Sequence, residues 1–203
     1  EVISTLLTRL SWPVRVLWII AALLPNSLTS DGATQSVLLW VLWGLVALAT
    51  WLHHPISLTV VRSITPVVTA WLLAALPDAS WDVLQVAGAV CSAVALMLIF
   101  TAEYGLLHVQ AGAYGDERRY LLKIPAPLIL PTLLAWGLLV LFVCYPPVLL
   151  AQSNFILGIP GLILGLLLLW KLAPQLHRLS SRGFVRVPAG WVFHDSVVLA
   201  DGR

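Results

Sequence analysis

Long apolar runs broken by short polar connections fill this chain from residue 12 to residue 172. The pattern predicts helices over 12–24, 36–52, 56–76, 83–107, 128–145 and 154–172, each apolar enough to face lipid. Before them, residues 1–11 place Ile3, Leu6, Leu7 and Leu10 at i, i+3, i+4, i+7 spacing. That is the signature of an amphipathic helix lying in the interface, with Arg9 toward headgroups. Ser11 ahead of Trp12-Pro13 is a plausible cap, and the run to Leu24 is short for a span, with Arg15 snorkelling. His53-His54-Pro55 ends the second helix, Pro66 kinks the third, and Pro146-Pro147 is expected to stop the fifth. After residue 172 the period changes. PQLHRLSSRG is a basic exit segment, and FVRVP, WVFHD and SVVLAD alternate apolar and polar residues as short strands do. Residues 173–203 therefore read as a cytoplasmic tail with hairpin-like strands, expected to continue beyond Arg203, just as the start at Glu1 is expected to be incomplete.

Composition closes off the soluble alternatives. Hydrophobic residues make up 60% of the 203 and charged residues 10%, where soluble domains carry about 25% charged. Mean hydropathy is +0.97. Cys91 and Cys144 both lie in apolar runs, which argues against a disulfide framework and offers no metal spacing.

The distribution of charge sets the threading. Gly115–Pro127, GDERRYLLKIPAP, is the one dense charged stretch between the apolar runs. With that stretch placed inside and the six helices alternating, the inner segments hold Arg9, Arg15, Arg62, Arg118, Arg119, Lys123, Lys171, Arg178, Arg182, Arg186 and Arg203. Those are all 11 lysines and arginines of the chain; the outer loops hold Asp31, Asp78 and Asp82. Such a bias predicts an all-α transmembrane six-helix bundle with both termini cytoplasmic. Arg118, Arg119, Lys123, Lys171, Arg178 and Arg182 are then the basic residues placed to meet anionic headgroups.

Few residues offer chemistry. Arg62 and Glu103 are the charges most embedded in apolar sequence, both toward the inner side, and are the candidate intramembrane pair, as a gate or as a structural tie. His54 with His108 is the pair a haem or metal would use, but no four-helix cytochrome spacing accompanies them. No cofactor or metal is therefore expected. Asp78 and Asp82 share a helical face at an outer mouth without His or basic company, and fit a solvated loop. The nucleophile-elbow, zinc and phosphate-loop motifs are absent from the sequence. The basic residues are accounted for by topology, so nucleic acid is not an expected partner. Gly161 with Gly165, and Gly88 with Ser92 beside Ala89 with Ala93, form small-residue faces on which helices approach closely, within the chain or against another subunit.

The runs GDERRYLLKIPAPLI and LHRLSSRGFVRVPAGWVFHD resemble stretches placed between and after the helices of uncharacterised actinobacterial polytopic membrane proteins. The resemblance covers the C-terminal half, brings no catalytic motif, and implies an inner-membrane protein with a cytoplasmic tail. The function expected from the residues is a non-catalytic accessory or scaffold subunit of a larger transport or envelope-lipid assembly, partnered by the bilayer and by other membrane subunits. Two alternatives stand beside it. A transporter or channel would use Arg62, Glu103 and the polar entry Gln152-Ser153-Asn154; a lipid-modifying enzyme would use His108, Asp116 and Glu117.

Overall fold

A computed structural model describes residues 2–24, 33–76, 82–111, 117–180, 182–187 and 190–194. Asp31, Asp78, Trp81, Gly115, Asp116 and the SVVLAD run lie outside them. Seven helices are described, α1 Val2–Leu23, α2 Ala33–Trp51, α3 Pro55–Ala74, α4 Val83–Ile99, α5 Ala102–Gln110, α6 Ala126–Ala151 and α7 Phe155–Ser180, with strands β1 Arg118–Leu121, β2 Gly183–Val187 and β3 Gly190–His194.

Helices α2, α3, α6 and α7 are long and apolar enough to cross a membrane, and α4 with α5 makes a fifth span if the bent pair is one crossing. Ser11–Leu23 is a shorter apolar helix. The six expected spans thus become four or five by length and composition. Exposed leucines and isoleucines around α6 and α7, such as Ile156 at 85% and Leu130 at 65%, are the lipid-facing surface of such helices.

Four of the expected boundaries move, each for a local reason. The interfacial helix 1–11 and the span from residue 12 are one helix, with Pro13 inside it. In sequence Ile3, Leu7 and Leu10 keep helical phase with Val14, Trp18 and Ala21, and these last three are buried, so a single helical period spans both expected segments. The expected helix 83–107 breaks after Ile99, and α5 leaves at 63° to α4. Thr101 has an extended backbone and its hydroxyl accepts from the Tyr104 N–H, capping α5. Pro146-Pro147 does not stop α6, because Pro146 is buried against α7. Finally, α7 runs on to Ser180, since Leu172, Leu176 and Leu179 continue its inward stripe while Lys171, Gln175 and Arg178 stay exposed. The first part of the expected tail, 173–180, is therefore helix.

The core lies among α1 to α4, where Val14, Trp18, Val46, Leu58, Val61, Val68, Ala95 and Ile99 are essentially sealed. Helix α1 runs antiparallel to α2, and the Trp18 and Trp43 indoles each donate to the other's backbone carbonyl, at 3.2 and 3.0 Å. Helix α4 packs on α1 and α3, and the Thr69 and Ser92 hydroxyls share a hydrogen bond of 2.7 Å across the second contact.

Helices α6 and α7 form a separate antiparallel hairpin that leans on α2 and α3. Its turn is a Schellman close. The Asn154 N–H reaches Leu149 O at 2.9 Å and the Ser153 N–H reaches Leu150 O at 3.0 Å, with Ser153 in the left-handed region at φ 61°. Along the hairpin, Gly158 faces Leu150, Gly161 faces Pro146 and Gly165 faces the Phe142 backbone. The last contact has a cause in α6. Pro146 has no N–H, so the Phe142 carbonyl four residues earlier loses its helical partner, and Gly165 lets the α7 backbone close upon it.

The strand pair expected in the tail exists, and a third strand joins it from the charged stretch. The antiparallel order is β1-β2-β3, with Arg118 opposite Arg186, Tyr120 opposite Phe184 and Leu121 opposite Gly183. The Leu122 N–H extends the ladder to Arg182 O at 3.0 Å.

Candidate functional site

The chain's polar chemistry gathers at one end of the bundle, where the start of α3, the α4–α5 break, the end of α7 and the sheet meet. Arg15 on α1 is buried and donates through Nε and Nη2 to Thr50 O, the last-turn carbonyl of α2, at 3.1 and 2.9 Å. Its guanidinium lies 4.3 Å from the Trp51 ring centre and 5.4 Å from that of Trp12, a cation held by two π faces. Nη2 also stands 3.3 Å from His53 Nε2. Burial and this guanidinium lower the pKa of His53 below the usual imidazole value.

His53 in turn faces His108, ring centres 5.6 Å apart, and His108 stacks on Tyr104 at 4.6 Å. His108 Nδ1 is 3.0 Å from Tyr104 O. A carbonyl only accepts, so Nδ1 carries the proton and Nε2 is left as an acceptor. Nε2 and the Tyr104 hydroxyl are both buried without a partner among the described residues. His54, the residue expected beside His108, instead caps α3. Its Nδ1 accepts from the Ile56 N–H at 3.2 Å, and Ser57 completes a capping box. Among the described residues no group of three or more ligating side chains is placed to hold a metal.

Arg62 and Glu103 are not joined. Arg62 donates from Nε to Ile99 O at 3.2 Å and from Nη2 to Thr101 O at 3.1 Å, and its guanidinium lies 5.6 Å from the Phe100 ring centre. These are the carbonyls exposed by the helix break, which a five-donor fork on the neighbouring helix is built to satisfy. Glu103 points to the exposed side of α5 and forms no ion pair with Arg62. Adjacency in the bundle was legible; the competing backbone acceptors were not, because the break was unread. Thr101 three residues before Tyr104, with Glu103 in the first turn, was the available signal of a new helix start.

Beside Arg62 opens a cavity of about 320 Å³ between α3, α6, α7 and the segment after β1. Its walls are mainly apolar, from Phe100, Leu133, Trp136, Leu176 and Leu179, with Ser63 and Thr132 adding polar atoms. The Trp136 indole donates to Ser63 O at 2.9 Å, and Thr59 bonds His177 Nδ1 at 2.9 Å, so both hairpin helices are tied to α3 at the cavity's edges. A second cavity of about 500 Å³ shares Thr132, Leu176 and Leu179 with the first and includes Arg178 in its lining.

The remaining predicted residues fall as follows. Gly88, Ala89 and Ser92 are buried and Ala93 half-buried on α4, within the contact that α4 makes with α1 and α3. Gly161 and Gly165 serve the α6–α7 hairpin. Both small-residue faces are thus used inside the chain. Arg118 is exposed opposite the exposed Arg186, with Tyr120 and Phe184 beside them on the same sheet face. Arg119 pairs with Glu117 at 3.3 Å. Lys123 and Lys171 are exposed, Lys171 lying 4.4 Å from the Trp170 ring centre, and Arg182 is buried next to the sheet.

No protein-family model, curated protein or solved structure matches this chain. For an enzyme working at this end, His108 is sealed beneath Tyr104 and His53, and Glu117 is engaged with Arg119.

Proposed function

We propose that this is a non-catalytic integral membrane protein, an accessory or scaffold subunit of a larger bacterial inner-membrane assembly for transport or envelope lipids. The observation that carries the reading is the use of Arg62. The charge best placed to gate a path is spent as a staple on two backbone carbonyls of a broken helix. Several other interior polar groups do similar work: Arg15 on α2, Trp18 with Trp43, Thr69 with Ser92, and Trp136 on α3. Polar side chains that tie helices to one another make a rigid apolar body suited to packing among other subunits. With six alternating crossings the basic residues of the sequence would all fall on the cytoplasmic side, which is the basis for placing both termini inside.

Extraction from the native membrane in a mild detergent, followed by identification of what co-purifies in stoichiometric amount, tests this directly. A transporter or envelope enzyme in fixed ratio supports the reading. Recovery alone, or only with copies of itself, removes it.

A second reading, transport by the chain itself, is favoured by one feature, the 63° break between α4 and α5. Discontinuous spans are the usual site of substrate and ion binding in transporters. Proteoliposomes holding the purified chain would pass a small solute, and R62Q would alter the flux; identical leakage from empty vesicles removes this alternative.

A further inference from the structure

We infer that the cavity beside Arg62 is a binding site for one anionic lipid, its phosphate on the Arg62 guanidinium and an acyl chain along the apolar wall of the α6–α7 hairpin. Three independent observations converge there. The first is charge. Arg62 is half-buried within a span, and none of the described carboxylates pairs with it. Backbone carbonyls solvate this cation without neutralising it, so an anionic ligand at the same guanidinium would add the missing counter-charge. The second is the guanidinium's free valence. Nε and Nη2 are committed to Ile99 O and Thr101 O, which fixes the plane of the fork, while Nη1 has no partner among the described residues. A fork already oriented by two hydrogen bonds loses little freedom on meeting a phosphate oxygen.

The third is shape and surroundings. The volume of about 320 Å³ sits at the lower end of ligand pockets, and Phe100, Leu133, Leu176 and Leu179 make the lining that an acyl chain would meet. Arg178 lines the adjoining cavity, and Lys123 is exposed and lies in sequence between the lining residues Leu122 and Ile124. One cation on the wall of an apolar slot, with a second on the adjoining cavity, matches an amphiphile with a single anionic head. A small soluble anion would use the arginine and leave the slot empty.

The test is native mass spectrometry of the delipidated protein in detergent, titrated with phosphatidylglycerol, with phosphatidylcholine, and with inorganic phosphate as competitor. One equivalent of phosphatidylglycerol is expected to be retained at least about tenfold more strongly than phosphatidylcholine, and inorganic phosphate is not expected to displace it. R62Q removes the charge and should abolish the preference. Because R62Q also uncaps the helix break, T132F provides the second arm: it fills the slot, leaves both Arg62 hydrogen bonds intact, and should reduce retention of both lipids. Equal retention of the two lipids overturns the inference, as does unchanged retention in T132F. Displacement by inorganic phosphate would make the site one for a free anion and overturn the lipid assignment.

Discussion

Replacing Gly165 by alanine should loosen the α6–α7 hairpin more than any other single methyl added to it. An ideal Cβ at Gly165 falls 2.7 Å from the Phe142 carbonyl carbon and overlaps its oxygen, where ordinary contacts run from 3.4 to 4 Å. Both obstacles are backbone, so no rotamer relieves them, and the helices must separate locally by on the order of 1 Å. Overpacking of this kind costs about 1–3 kcal/mol, and the lost Cα–H contact to the freed carbonyl about 0.5–1 more. Gly137 on the facing helix is the control, since a methyl there meets nothing within 4 Å and gains the helical propensity of alanine. G165A should therefore lie about 3 kcal/mol below G137A, or roughly 6–12 °C in melting midpoint for a chain of this size. G161A, whose methyl would lie 3.1 Å from the Pro146 ring, and G158A, whose methyl would lie 2.6 Å from Leu150 Cδ2, 2.8 Å from its Cγ and 3.3 Å from its backbone N, should fall between. Thermal unfolding in mild detergent measures the order, and the alkylation rate of Cys144 on α6 reports whether the hairpin has opened. If G165A melts with G137A and leaves Cys144 unchanged, the helices do not meet through this carbonyl.

Other substitutions probe separate joints. S153G relieves a left-handed residue that has a Cβ and should stabilise the turn by about 0.5–1 kcal/mol, read as a higher melting midpoint; no rise would remove the Schellman assignment. T69V deletes the hydroxyl bonded to Ser92 between α3 and α4 and should cost about 0.6–1.7 kcal/mol, while the double change T69V/S92A should recover part of it. The lowered pKa of His53 predicts a pH dependence of stability. The unfolded chain takes up a proton near pH 6.5 and the native one resists it, so stability is whole above that value and falls as pH drops toward the lowered native pKa. Melting midpoints measured from about pH 8 to about pH 5 should decline at the acid end, less steeply in H53Q. A profile that H53Q leaves unchanged would show that His53 is not held neutral by its burial beside Arg15.

The apolar runs made α2 and α3 readable to within a few residues, because in lipid each must satisfy its own backbone and so announces itself by length. The β2–β3 pair was readable from period-two alternation. What escaped were features set by partners distant in sequence. Leu98, Ile99 and Phe100 continue the apolar pattern without interruption, so hydrophobicity hides the break in α4, and only the cap Thr101 with Glu103 after it marks the new start. Pro146-Pro147 stops a helix in water, yet here a glycine face on the next helix accommodates it. The pairing of Arg118–Leu121 with Gly183–Val187 spans the entire hairpin and leaves no local trace. The polar site was legible as a set of residues on one side, and misread as to partners: His53 rather than His54 meets His108, and backbone carbonyls rather than Glu103 hold Arg62.

The β1–β2 pairing has a consequence for the order in which the molecule comes together. The strand before α6 is joined to the strand after α7, so the sheet buckles the hairpin at its root. During synthesis β1 emerges first and has no partner until both hairpin helices and residues up to Val187 have followed. The β2–β3 turn can close at once from neighbouring residues, whereas β1 must wait for them. Closure of the buckle is thus a late event that reports completed insertion of both helices, and a chain interrupted within α7 would present β1 with its edge unpaired.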